Sequence, residues 1–184
     1  MANPSGDKIL KRHELILLTG IMLLAFGLIL LFAGKWDLNQ DDFLGKDATE
    51  IEYETASGQS AKLSKQQGSV VLLNFWAAWC LPCMEEMPSL RMLEEHFKNR
   101  GFVLLAFNIG GDSVDSVQTK ISKDSLPANM VFNFSREQLK SYSVEAIPLS
   151  ILITKKGKIH KIYRGPTHWM DISILQEIEN LMKE

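Results

Sequence analysis

Cys80 and Cys83 are the only cysteines in the 184-residue chain, and two residues separate them. A pair at this spacing can exchange a disulfide, supply half of a metal site, or staple a loop. A Cys-only zinc or iron–sulfur site needs four ligands, which two cysteines cannot provide. The histidines are His13, His96, His160 and His168. His13 precedes a long apolar run, and the others lack the paired spacing of a mixed Cys/His zinc site. A purely structural disulfide over so short a loop adds little stability. Thiol–disulfide exchange is the chemistry left, with no metal and no cofactor beyond the cysteine pair itself.

The surrounding pattern suits that chemistry. The motif is Trp79-Cys80-Leu81-Pro82-Cys83. Ser69–Trp76 (SVVLLNFW) ahead of it is rich in β-branched and aromatic residues and reads as a buried strand. Cys83–Asn99 behind it carries Met84, Met87, Leu90, Leu93 and Phe97 at helical spacing. The motif therefore opens a helix, whose first N–H groups are unpaired and carry a partial positive charge. A thiolate there is stabilised, with a pKa near ~7 against ~8.5 for a free cysteine. Pro82 fits because a first-turn residue needs no N–H. Cys80, at the helix tip, is expected to be the exposed nucleophile, and Cys83 to resolve the mixed disulfide. Leu81 adds no charge and so does not lower the thiolate pKa by itself.

Strand and helix patterns alternate through the rest of the chain. Short strands are expected at Ala48–Thr55 and Ser60–Leu63, and a buried strand at Phe102–Ile109. A Gly110-Gly111-Asp112 turn then leads into a helix at Ser113–Lys123. A strand at Asn129–Phe134, a short helix at Arg136–Tyr142, a hairpin of Leu149–Thr154 with Lys158–Tyr163, and an amphipathic helix at Met170–Met182 complete the pattern. This order implies an α/β fold: a central mixed sheet flanked by helices on both faces.

The N-terminal part is different. Leu15–Ala33 (LILLTGIMLLAFGLILLFA) contains no charge. At ~1.5 Å per residue it covers about 28 Å, enough to cross a bilayer core. Lys8, Lys11 and Arg12 precede it; Lys35 alone follows before Asp37, Asp41, Asp42 and Asp47. The positive-inside rule then puts the N-terminus in the cytoplasm and the remainder outside. The run is long for a signal peptide, and its Leu31-Phe32-Ala33-Gly34 exit lacks a small-x-small cleavage pair. The expected organisation is a cytoplasmic tip (1–14), a transmembrane anchor (15–33), a polar linker (34–47) reaching ~20 Å, and one catalytic domain (48–184). The formal net charge of −2 gives no basic footprint, so no nucleic-acid partner is expected.

Over roughly residues 46–184 the sequence resembles the thioredoxin superfamily, and within it the TlpA/ResA-type branch of membrane-anchored thioredoxin-like proteins. Val70–Leu90 (VVLLNFWAAWCLPCMEEMPSL) and Val144–Ile159 carry the resemblance. It implies a thioredoxin fold with the extra βα segment of that branch at 110–134. It implies that Ile147-Pro148 is a cis-proline loop lying against the cysteines, with the Ile147 backbone open to a substrate strand. Trp79, Leu81, Pro82, Ile147 and Pro148 then form the substrate-binding surface, with Trp79 shielding the cysteines. Asn74 stands where ordinary thioredoxins carry a buried aspartate, and it cannot titrate. Glu86 matches an acidic residue of the branch and is expected to help deprotonate Cys83; the competing reading is a solvated helix glutamate. Pro88 matches a proline that kinks the active-site helix. Two departures, Leu81 and Leu149-Ser150, touch the expected substrate face and leave the substrate open.

The resemblance implies a thiol–disulfide oxidoreductase of the inner (cytoplasmic) membrane with its catalytic domain outside, reducing exported proteins such as apocytochrome c. A membrane thiol-electron donor would supply the electrons. The alternatives are an oxidant or isomerase of exported proteins, and a non-catalytic thioredoxin-fold binding or chaperone module. A thiol peroxidase fits less well, because the cysteines form a CxxC pair. The anchor has a direct check. Mass spectrometry of the mature chain should find the N-terminal segment retained; a start near residue 34 would mean cleavage.

Overall fold

Every residue of Val70–Trp76 is buried, which a strand achieves only when both faces of its sheet are covered. In the computed structural model this segment is β3, at the heart of a seven-stranded sheet ordered β2-β1-β5-β4-β3-β6-β7. The structure describes residues 12–33, 43–55 and 58–184. The strands are β1 (Glu52–Thr55), β2 (Ser60–Lys62), β3, β4 (Phe102–Asn108), β5 (Met130–Phe134), β6 (Leu149–Ile153) and β7 (Ile159–Arg164). The helices are α1 (Arg12–Ala33), α2 (Leu81–His96), α3 (Val114–Lys120), α4 (Arg136–Lys140) and α5 (Ile172–Lys183).

Parallel pairs β3–β4 and β4–β5 require the crossovers that α2 and α3 supply. β6 and β7 add an antiparallel hairpin beside β3, and β1 and β2 another beside β5. The sheet is therefore mixed, as the sequence pattern implies. Strand parity divides β3. Val70, Leu72 and Trp76 face one core with Met87, Leu90 and Leu93 of α2 and Ile174, Ile178 and Leu181 of α5. Val71, Leu73 and Phe75 face the other, with Leu139 of α4, Tyr142 and Ile151. Asn74 belongs by parity to the α2 face. Its register partners are Ala106 on β4 and Ser150 on β6.

Several boundaries differ from the sequence reading. The active-site helix starts at Leu81 rather than Cys83, because Cys80 caps it. Its end is His96 rather than Asn99, and Pro88 lies within it, leaving the Met84 carbonyl without its usual donor. β1 begins at Glu52 rather than residue 48. Gly45 donates to the Ile159 carbonyl at 2.8 Å and Ile159 to the Lys46 carbonyl at 2.9 Å. The folded unit thus starts before residue 48.

The chain divides into two compact units, Met1–Gln40 and Asp41–Glu184. α1 is the described part of the first. Residues 1–11 of the expected tip and 34–42 of the expected linker lie outside the described residues. Among the described residues no helix is long and apolar enough to cross a membrane.

Candidate redox site

Cys80 and Cys83 are joined as a disulfide. Cys80 is the N-cap of α2, with extended backbone angles, and its sulfur accepts the Cys83 N–H at 3.3 Å. A capping sulfur accepting a helix N-terminal amide is placed to hold negative charge when the bond opens. The Cys80 sulfur also lies 3.8 Å from the Ile147 carbonyl oxygen. A disulfide sulfur has no proton, so in the oxidised state this is only an approach. The Ile147-Pro148 bond is cis.

Burial corrects two expectations and bears on a third. Cys80 is 5% exposed and Cys83 is fully buried, so the first sulfur does not stand free at the helix tip. Trp79, expected to shield the cysteines, is itself 71% exposed, and Leu81 is 69% exposed. Both side chains present apolar surface to solvent next to the buried cysteines. Leu149, expected on the substrate face, is buried in the core on the far side of the sheet. Strand parity is the reason: Leu149 pairs with Phe75, and Ser150 with Asn74. Of the remaining expected surface residues, Pro82 is exposed, Ile147 half-buried and Pro148 buried.

The loop before the motif is held from the side. Asp112 accepts from the Ala78 amide at 3.0 Å and from Asn108 Nδ2 at 3.1 Å. Gly110 is the point of closest approach. A Cβ there would stand 2.7 Å from the Ala77 Cβ and 3.0 Å from the Trp79 Nε1, too close for any side chain.

Glu86 is the buried acidic residue of α2. Glu86 is 4% exposed, which excludes the solvated alternative. It lies one helical turn beyond Cys83, on the same side of α2. Its Oε1 accepts Asn74 Nδ2 at 2.8 Å. Its Oε2 accepts the Thr167 amide at 3.2 Å and Trp169 Nε1 at 3.4 Å. Asn74 Nδ2 also donates to Ser150 Oγ at 2.9 Å. Burial dominates, and although the three donors oppose it, the Glu86 pKa is raised above 4.5. All three donors are neutral, so the carboxyl gains no ion pair. Among the described residues Asn74 Oδ1 is buried without a hydrogen-bond partner, as is Trp76 Nε1.

Sequence reasoning singled out Asn74 and Glu86 but not Thr167, Trp169 or the bond to Ser150. Trp169 stands 83 positions from Glu86, and no local spacing joins them. Among the described residues no group of three or more His, Cys, Asp or Glu side chains could hold a metal.

A buried CxxC disulfide at the start of a helix, beneath a cis-proline loop on a mixed sheet, defines a thioredoxin-fold thiol–disulfide oxidoreductase. Comparison with known proteins agrees. The profile of the AhpC/TSA family matches residues 44–162, and the chain belongs to that family. It is 31% identical over 179 residues to the thiol-disulfide oxidoreductase ResA of Bacillus subtilis, covering 94% of this chain and 96% of that one. A Chlorobium tepidum structure that bears the name thiol:disulfide interchange protein DsbE superposes with a TM-score of 0.65 at 26% identity, covering 76% of this chain and 97% of that one. StoA from Bacillus subtilis shares the fold at a TM-score of 0.58 and 24% identity, over 74% of this chain and 98% of its own.

The raised Glu86 pKa gives a signed stability prediction. Between 4.5 and the raised value, the native state keeps a proton that the unfolded chain releases. Stability from this group is therefore greatest below 4.5 and is lost as pH rises through the window, by up to about 1.4 kcal/mol per pH unit. Glu50 and Glu177 behave oppositely. Burial disfavours their charge, but hydrogen bonds from Ser64 to Glu50, and from Tyr163 and Lys161 to Glu177, outweigh it and lower both pKa values. Their contribution is lost only as pH falls below 4.5, so the windows are separate. Urea unfolding of the oxidised protein should show the Glu86 slope, and Glu86→Gln should remove it. A variant with the wild-type slope would assign the slope to another group.

Proposed function

We propose that the protein is a membrane-anchored reductant of disulfides in exported proteins, acting outside the cytoplasmic membrane. Apocytochrome c before haem attachment is the substrate class that the resemblance favours. The observation that carries the chemical part is the Glu86 carboxyl, buried among neutral donors one turn from the buried Cys83.

In the reduced protein the Cys80 thiolate, supported by the Cys83 amide, attacks one sulfur of the substrate disulfide. The substrate S–S bond breaks, one substrate thiolate leaves, and a Cys80–substrate disulfide forms. Glu86 takes the Cys83 proton. The Cys83 thiolate attacks the Cys80 sulfur, the second substrate thiolate leaves, and the Cys80–Cys83 disulfide closes. Two electrons have passed to the substrate. A dithiol on a membrane electron donor returns them by the same exchange in reverse. Trp79 and Leu81 offer apolar contact to an unfolded segment, and the Ile147 carbonyl meets its backbone.

Charge supports the reductant direction. An oxidant needs a strongly stabilised reduced form. Here Leu81 brings no charge between the cysteines, and a carboxylate near Cys83 opposes a second negative charge. The membrane part is supported by the uncharged 15–33 run, its flanking charges, and the exposed apolar side chains of α1, including Leu17, Ile21, Leu24 and Phe26.

Cys83→Ser removes the resolving thiol. Cells carrying it should accumulate mixed disulfides through Cys80 with exported proteins, and these adducts should vanish when Cys80 is also replaced. If no adducts form and the wild type does not reduce a synthetic peptide disulfide, the binding-module alternative takes its place. A reduction potential near that of strong oxidants, about −120 mV, would reverse the direction.

A further inference from the structure

The Glu86 carboxyl is held asymmetrically, and the asymmetry traces to one segment. Residues 165–171 join β7 to α5, and they supply both donors to Oε2, the Thr167 amide and the Trp169 indole. Oε1 accepts only Asn74 among the described bonds, so it keeps capacity for a further proton.

Burial alone does not aim an indole N–H. Trp76 lies in the same core, fully buried, and its Nε1 has no partner among the described residues. Trp169 is 1% exposed and its one polar atom meets the carboxylate. Its ring is fixed edge-on against Tyr163, with centroids 5.0 Å apart. The Tyr163 hydroxyl donates to Glu177 on α5 at 2.7 Å. The strand before the segment and the helix after it are thus tied together behind the indole.

We propose that Trp169 is a positioning residue for the redox chemistry: its indole N–H holds Oε2 of Glu86 and favours the ionised carboxylate, leaving Oε1 to take the Cys83 proton. This rests on the role proposed above for Glu86. The carboxyl accepts from Asn74 on β3 and from Thr167 and Trp169 on the segment; Asn74 also donates to Ser150 on β6, and Cys83 lies one turn back on α2. Behind the indole stand Tyr163 and Glu177, the latter paired with Lys161 and His160. His168 and Asp171, on the same segment, pair loosely with each other at 3.7 Å and are exposed.

The test is the pH profile of mixed-disulfide resolution. The reduced full-length chain in detergent is mixed with a synthetic peptide disulfide, quenched in acid and resolved by mass, from roughly pH 5 to roughly pH 9. The wild-type rate should rise as Glu86 ionises and reach a plateau. Trp169→Phe removes the donor. Its midpoint should move to higher pH by about half a unit to one unit, with the plateau unchanged. Benzothienylalanine at position 169, which replaces the N–H by sulfur in the same shape, should give the same shift, and it carries the decision if the Phe variant does not fold. Glu86→Gln should lose the rise on the acid side altogether. If Glu86→Gln loses it and both Trp169 replacements keep the wild-type midpoint, the role of Trp169 is overturned. If Glu86→Gln keeps the wild-type profile, the Glu86 reading itself fails.

Discussion

A carboxyl group buried between α2 and β3 needs donors on every side, and the elements around the redox pair are arranged to supply them. Glu86 takes one hydrogen bond from the central strand and two from the segment that joins the last strand to the last helix. Losing the single donor to Oε1 would strand a polar atom in the core, at a cost of about 1–3 kcal/mol. The need to satisfy this one group thus links β3, β6, α2 and the 165–171 segment. Cys83 shares its helix face, so the same packing that hides the carboxyl hides the Cys83 sulfur.

Neutral donors make the site responsive. A salt bridge would hold Glu86 ionised at all physiological pH; amide and indole groups hold it without supplying charge. Burial then wins and raises the pKa. In the proposed mechanism the ionised carboxylate takes the Cys83 proton and gives it back when the disulfide reopens. Asn74 contributes geometry rather than titration. Its amide bridges Glu86 and Ser150 across two strands.

Much of this was legible in the residues. The Cys80–Cys83 spacing, the apolar strand ahead and the helical stripe behind define the redox motif and its setting. Resemblance pointed to the cis bond at Ile147-Pro148 and to Glu86. Chain-distant contacts were not legible. Thr167 and Trp169 reach Glu86 only because the sheet folds β7 beside β6, which no local pattern announces. Leu149 differs from expectation for a related reason: which of Leu149 and Ser150 faces α2 depends on the antiparallel register with β3. The burial of Cys80 is not legible in the sequence, because position at a helix tip argues for access whereas the Ile147 carbonyl approaches its sulfur.

The most direct measurement is a carbon-13 NMR titration of the Glu86 carboxyl in the reduced protein, with the Cys83 Cβ followed alongside. The account predicts a carboxyl midpoint above 4.5, with an inflection shared with Cys83 because the two groups exchange a proton. A Glu86 carboxyl that titrates at or below 4.5, with no inflection in common with Cys83, would contradict it.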